Sequence, residues 1–341
     1  MPLEGQHLGQ PHLLRLLGRK RLVLVGLALL MVAALVGGII WLTRPHSSGV
    51  TEFAIPTSGV NPEGVAAGPD GNLWFTELTG NKIGRITPGG SVTEFAIPTS
   101  QSKPAGITTG PDGNLWFTEA IGNKIGRITP GGSITEFAIP TSQSKPAGIA
   151  AGPDGNLWFT EGAGKIGRIS IRGSFTEFPI PTPKSAPLDI ITGPDGNLWF
   201  IVYDGNQIGR ITPSGSVTEF PIPTPHSHPF GIAAGPDGNL WFTEYGGNQI
   251  GRITPGGSVT EFPILTPQSG PNGIAAGPDG NLWFTEYDGN QIGRITPGGS
   301  VTEFSIPTFK SSPELITTGP DGNLWFTEYD GNQIGRIKPG K

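Results

Sequence analysis

One tetrapeptide, Asn-Leu-Trp-Phe, occurs seven times, with its Trp at 74, 116, 158, 199, 241, 283 and 325. Successive copies are 42 residues apart, except for one interval of 41. Two further phrases keep the same beat. Ile-Gly-Arg-Ile places an Arg at 85, 127, 168, 210, 252, 294 and 336, and Thr-Glu-Phe places a Glu at 52, 94, 136, 177, 219, 261 and 303. A fixed period of this length marks a repeat architecture, in which each unit buries its apolar face only by stacking on the next.

Each period reads as four short strands. In the second repeat, strand A includes Gly106 to Thr109, strand B runs 114–119, strand C 124–129 and strand D 133–139. Gly-Pro-Asp-Gly-Asn separates A from B, and Thr-Pro-Gly-Gly-Ser separates C from D. Pro presets φ in such turns and Gly supplies the positive φ, so the chain's 55 Gly and 35 Pro are punctuation and not a sign of disorder. Four strands per period of about 42, with an aromatic signature, predict an all-β, seven-bladed propeller with four-stranded antiparallel blades.

The phase of the repeat adds a closure. The first Thr-Glu-Phe, at 51–53, precedes any strand A, and the last repeat ends after its strand C. The segment 51–56 is therefore expected to supply the missing outer strand of the seventh blade, which joins first blade to last and removes an exposed sheet edge. The propeller is placed at 51–341.

Ahead of it, residues 22–43 carry no charge, a length that spans a bilayer core as a helix. Arg15, Arg19, Lys20 and Arg21 precede that stretch, and only Arg44 follows closely. The positive-inside rule then makes 1–21 a cytoplasmic tail, 22–43 a single-pass signal anchor, 44–50 a linker, and the propeller extracytoplasmic. A cleaved signal peptide is the rival, but its apolar stretch is usually shorter. With net charge −5 for the chain and −9 for 51–341, the propeller repels a phosphate backbone, so nucleic acid is excluded as a partner. A small molecule or an envelope protein is the expected partner, and the propeller is expected to be monomeric. There is no cysteine, hence no disulfide and no thiol chemistry.

A meander has two faces. The A–B turns are identical in every blade, whereas the B–C and D–A segments vary, so the variable face is the expected binding face. After strand B the first three blades carry Leu78, Ala120 and Gly162, and the last four carry Tyr203, Tyr245, Tyr287 and Tyr329. The residues after the Pro of strand A, namely Glu63, Ala105, Ala147, Leu188, Phe230, Asn272 and Glu314, should ring the channel mouth. Asp189 stands where most blades have Gly, and His226 and His228 are the only histidines of the propeller. Candidate ligand-binding residues are therefore Glu63, Asp189, His228, Phe230, Asn272, Tyr203, Tyr245, Tyr287 and Tyr329, with Glu314 the candidate catalytic base. No metal ligand is assigned: a His-x-His pair needs a third ligand, and none is nearby in sequence. The repeated Arg, the Glu of Thr-Glu-Phe and the Glu of Trp-Phe-Thr-Glu, which Val202 replaces in the fourth blade, read as scaffold. No Ser-His-Asp set, P-loop or Cys nucleophile can be assembled.

The repeat Gly-Pro-Asp-Gly-Asn-Leu-Trp-Phe-Thr-Glu…Gly-Asn-Gln-Ile-Gly-Arg-Ile-Thr…Thr-Glu-Phe-Pro-Ile-Pro-Thr resembles the streptogramin lyase family, over essentially all of 51–341. The resemblance implies a seven-bladed propeller. It also implies a carbon–oxygen lyase that opens a cyclic depsipeptide antibiotic at its ester by elimination, with Mg²⁺. The family pattern has His at the positions of Asn272 and Glu314, and a Glu at those of Ser312 and Tyr329; this chain matches none of the four. The expectation is a binding propeller, with a Mg-dependent lyase or another cyclic-ester ring-opening enzyme as the alternative.

Overall fold

Seven four-stranded antiparallel sheets stand around a central channel in the computed structural model, which describes residues 49–340. The proposed anchor at 22–43 and its flanks lie outside the described residues; among those described, no helix is long and apolar enough to cross a membrane. Blade 1 comprises β2 (Pro62–Ala67), β3 (Leu73–Glu77), β4 (Lys82–Ile86) and β5 (Val92–Ala96). Blades 2 to 6 repeat it as β6–β9 (Pro104–Ala138), β10–β13 (Pro146–Pro179), β14–β17 (Pro187–Pro221), β18–β21 (Pro229–Pro263) and β22–β25 (Pro271–Ser305).

Blade 7 is completed from the other end of the propeller. Its strands are β26 (Pro313–Thr318), β27 (Leu324–Glu328) and β28 (Gln333–Ile337), and β1 (Val50–Ala54) pairs with β28 from Val50–Ile337 to Ala54–Gln333. The expected closing strand is thus present, starting one residue earlier and ending two residues earlier than expected. Asn332 fixes the return. Its amide donates to Ile55 O and Thr57 O and accepts from Val60 N at 2.9 Å. Strand A begins at its Pro, earlier than the sequence turn signals placed it, because Pro62 pairs with Glu77 before a bulge resets the register to Val65–Phe75.

Burial follows strand position. Every residue of strand B is buried, since a neighbouring blade covers each face of a central strand. Strand D alternates between half-buried and exposed at the rim. Each blade builds one polar–aromatic stack. Trp74 lies parallel to Phe95 at 5.5 Å, Arg85 sits over both rings, and Arg85 Nη1 donates to Pro130 O of the next blade. The buried Trp74 N–H finds Asp70 at 3.0 Å, so the Asp of the A–B turn also satisfies the core indole.

Two further links run between blades. In five blades the Glu of Thr-Glu-Phe accepts from a backbone N–H of the preceding blade's outer connection, as Glu136 does from Thr99 and Glu52 from Thr308, whereas Glu94 and Glu219 accept from the hydroxyls of Thr57 and Thr182. The Thr of Trp-Phe-Thr-Glu accepts from its own strand A and donates forward, as Thr76 does from Gly64 N and to Ala105 O. Blade 4 has Ile201 in that place. There Asp189 substitutes, accepting from Ile190 N at 2.9 Å and from Ile232 N of blade 5 at 3.0 Å.

Candidate functional site

The channel of about 600 Å³ is lined by strand A of every blade, chiefly by Ala, Ile, Thr and backbone. On the face formed by the B–C turns and D–A connections it opens into a cavity of about 360 Å³. Strand A supplies Glu63, Phe230, Asn272 and Glu314 to that mouth, and the residue after strand B supplies Leu78, Tyr245, Tyr287 and Tyr329. The position after the strand A Pro lies at the sheet's inner edge, where the strand starts, so its side chain borders the opening. The mouth is one-sided: its walls come from blades 5, 6, 7 and 1.

The sequence-selected residues divide accordingly. Glu63, Phe230, Asn272, Glu314, Tyr245, Tyr287 and Tyr329 come together. Asp189 lines the channel below, tied up in the blade 4–blade 5 link. Tyr203 and His228 stack on each other with centroids 5.1 Å apart, outside the mouth lining. Leu78 was not selected, although it occupies the same repeat position as the tyrosines, which was the available signal.

The mouth combines acid, aromatic surface and unsatisfied acceptors. Burial pushes the Glu63 carboxyl up to about 7, against the pull of Lys103. Burial first, then the charges of Glu63 and Asp330, raise Glu314 well above the ordinary carboxylate range. Glu314 Oε2 has no hydrogen-bond partner. Asn272 is 4% exposed, and its Oδ1 likewise accepts nothing. The rim is held in place: Tyr245 donates to Asp288 at 2.7 Å, Ser312 donates to Asp330 at 2.7 Å, and Asn61 Nδ2 donates to Tyr329 O. Its hydrogen bond to Asp288, followed by burial, moves the Tyr245 hydroxyl to about 12, so it stays protonated at the rim.

The pattern of the Virginiamycin B lyase family matches residues 42–241 and 232–340. The chain belongs to that family. Virginiamycin B lyase from Staphylococcus aureus, in its selenomethionine-substituted crystal structure, is 41% identical; the match covers 85% of this chain and 99% of that one, with a TM-score of 0.82. The same figures hold for a catalytically inactive histidine-to-alanine variant of that enzyme with quinupristin. A virginiamycin B lyase of Saccharopolyspora erythraea is 44% identical over 49 residues, which is 14% of this chain and only 16% of that protein.

Mg²⁺, which the family resemblance implies, does not fit the residues present. Among the described residues no three His, Asp or Glu side chains converge to hold a metal ion. Ser312 and Tyr329 stand at the two implied Glu positions, and the Ser312 hydroxyl is committed to Asp330.

Proposed function

We propose that this chain is a binding propeller that holds a small-molecule ligand over its channel mouth, tethered outside the cytoplasm by residues 22–43. The observation that carries this is the mouth itself: a cavity walled by Phe230, Tyr245, Tyr287 and Tyr329, with acceptors on Asn272 and Glu314 that nothing in the protein satisfies. The glutamates that end strand B also carry unmet oxygens, but they do not line the cavity; Asn272 and Glu314 do, and there a ligand can meet them. The four positions to which the resemblance assigns elimination chemistry carry Asn272, Glu314, Ser312 and Tyr329 instead, so binding is favoured over turnover.

Quinupristin is the probe, since a family member has been solved with it. The full-length chain is titrated with quinupristin in a calorimeter, with and without Mg²⁺, and the mixture is then separated by chromatography. Binding with the ring intact supports the proposal. Absence of binding to quinupristin or to any fragment of its class, or rapid ring opening, overturns it. Elimination conserves the ligand's mass and hydrolysis adds one water, so mass spectrometry of any new peak tells a lyase from a lactonase.

Turnover remains the second reading on one observation. Glu314 is a carboxyl at the cavity whose proton affinity burial raises well above the ordinary range, and carboxyls perturbed in this way are candidates for general acid or base. Ring opening that disappears in Glu314→Ala would establish it. The tether is tested separately: extraction of membranes with alkaline carbonate should leave the chain in the pellet, and release into the supernatant would refute the anchor.

A further inference from the structure

We propose that the ligand of the mouth is a cation bearing N–H donors, that is, a protonated amine. This rests on the binding reading above and narrows it. The mouth presents two carboxyl groups, Glu63 and Glu314, and no Lys, Arg or His among its lining residues. Among the described residues neither glutamate takes part in an ion pair; all eight ion pairs lie elsewhere. The rings of Tyr287, Tyr329 and Phe230 line the same cavity, and the faces of aromatic rings are electron-rich and attract cations. Asn272 Oδ1 and Glu314 Oε2 are buried acceptors awaiting donors.

Each alternative leaves something unmet. An anion brings no N–H donor to the orphaned oxygens of Asn272 and Glu314. A divalent metal requires several hard oxygen donors, and no set of three charged ligands exists among the described residues. A quaternary ammonium would suit the rings but has no N–H for Asn272. An ammonium on a short stem satisfies all three kinds of group: N–H to the orphaned oxygens, charge to the glutamates, and its stem against the aromatic wall.

Protons give the reading a signature. Burial raises both carboxyls; the charges of Glu63 and Asp330 add to the effect on Glu314, and Lys103 opposes it on Glu63. The other titratable groups bordering the site are Asp288, Tyr245, Tyr287 and Tyr329. With Glu63 raised to about 7 and Glu314 raised well above the ordinary range, the pair holds on to protons that a bound ammonium displaces. Affinity should climb from pH 6 to pH 8, and binding should release protons.

The full-length chain is titrated with benzylamine, which is protonated across that range, and with benzyl alcohol and benzoate as neutral and anionic counterparts. We expect benzylammonium to bind about tenfold more tightly than benzyl alcohol. Its heat should differ between phosphate and Tris, in proportion to the protons released. Glu314→Gln should remove the preference and the proton release. Should that variant fail to fold, Asn272→Leu replaces it and should weaken benzylammonium alone. Equal binding of amine and alcohol, tightest binding of benzoate, or heats independent of buffer would overturn the cation while leaving the mouth a binding site. If none of the three compounds binds, and quinupristin does not either, the binding reading falls with it.

Discussion

Glu244 offers the sharpest test of how the scaffold treats charge. Strand B ends in Glu in six blades, and each of these side chains is fully buried without an ion-pair partner among the described residues. Burial, and then the charge of Glu261 on the outer strand, push the Glu244 carboxyl from 4.5 to about 8. A carboxyl raised in the folded state contributes its full stability below its unfolded value. That contribution is lost as pH rises toward the folded value, so the window runs from 4.5 to about 8. At about 1.4 kcal/mol per pH unit, one such group removes about 3 kcal/mol between pH 5 and pH 8. For a propeller of this size that is about 5 °C in Tm. Glu244→Gln, which cannot ionise, should match the parent at pH 5 and melt about 5 °C higher at pH 8. Glu244→Val should behave alike, because blade 4 already carries Val202 there, fully buried. Differential scanning calorimetry at pH 5, 6, 7 and 8 gives the curves. If both variants lose the same amount at every pH, the carboxylate is charged and bound in the fold, and the reasoning is wrong.

Three further outcomes follow from the links between blades. Asp189→Gly should cost about 1–2 kcal/mol by removing two accepted backbone hydrogen bonds. Adding Ile201→Thr should restore most of it, by rebuilding the hydroxyl relay of the other blades; denaturant unfolding of both singles and the double reads the coupling, and strict additivity would refute it. Gly132 has φ +92°, and a Cβ there would collide with the Phe95 ring of the preceding blade. Gly132→Ala should therefore lower stability by about 2–3 kcal/mol in a thermal melt, and an unchanged Tm would contradict the close packing. Asn332→Ala removes three hydrogen bonds that fix the closing connection. It should speed limited proteolysis near residue 57 more than Asn123→Ala speeds cleavage near residue 141, because only the former frees the end of a ring; equal rates would argue against a weak point at the closure.

What the sequence disclosed depended on whether a residue's meaning was local. The period, the turn residues and the offset of the first Thr-Glu-Phe are local or countable, and they led to blades, strands and closure. The mouth was legible too, because repeat position maps directly to radial position: the residue after the strand A Pro falls at the inner edge in every blade. Residues whose meaning lies in a partner were harder. Asp189 reads as an oddity worth testing as a ligand until its bonds to Ile190 N and Ile232 N are seen in the one blade that has Ile201 in place of the relay Thr. His228 looks like a free imidazole until Tyr203 stacks on it. The aspartate of the A–B turn reads as turn chemistry, yet it also satisfies the core indole.

Closure is also what makes a site out of near-identical repeats. Glu63 opens the first strand A and Glu314 the last, at opposite ends of the propeller sequence. Pairing of β1 with β28 sets blade 7 against blade 1, and Thr327 of blade 7 then donates to Glu63 O at 2.8 Å, as Thr285 of blade 6 donates to Glu314 O. The two carboxyl groups are thereby held on adjacent inner strands by the same hydroxyl relay that joins most other blades. Every other neighbouring pair of strand A positions contains at most one ionisable side chain. A carboxyl pair thus arises only where the ring closes. A ring that opened at β1 would keep its blade chemistry and lose the one place where two acids face a shared cavity.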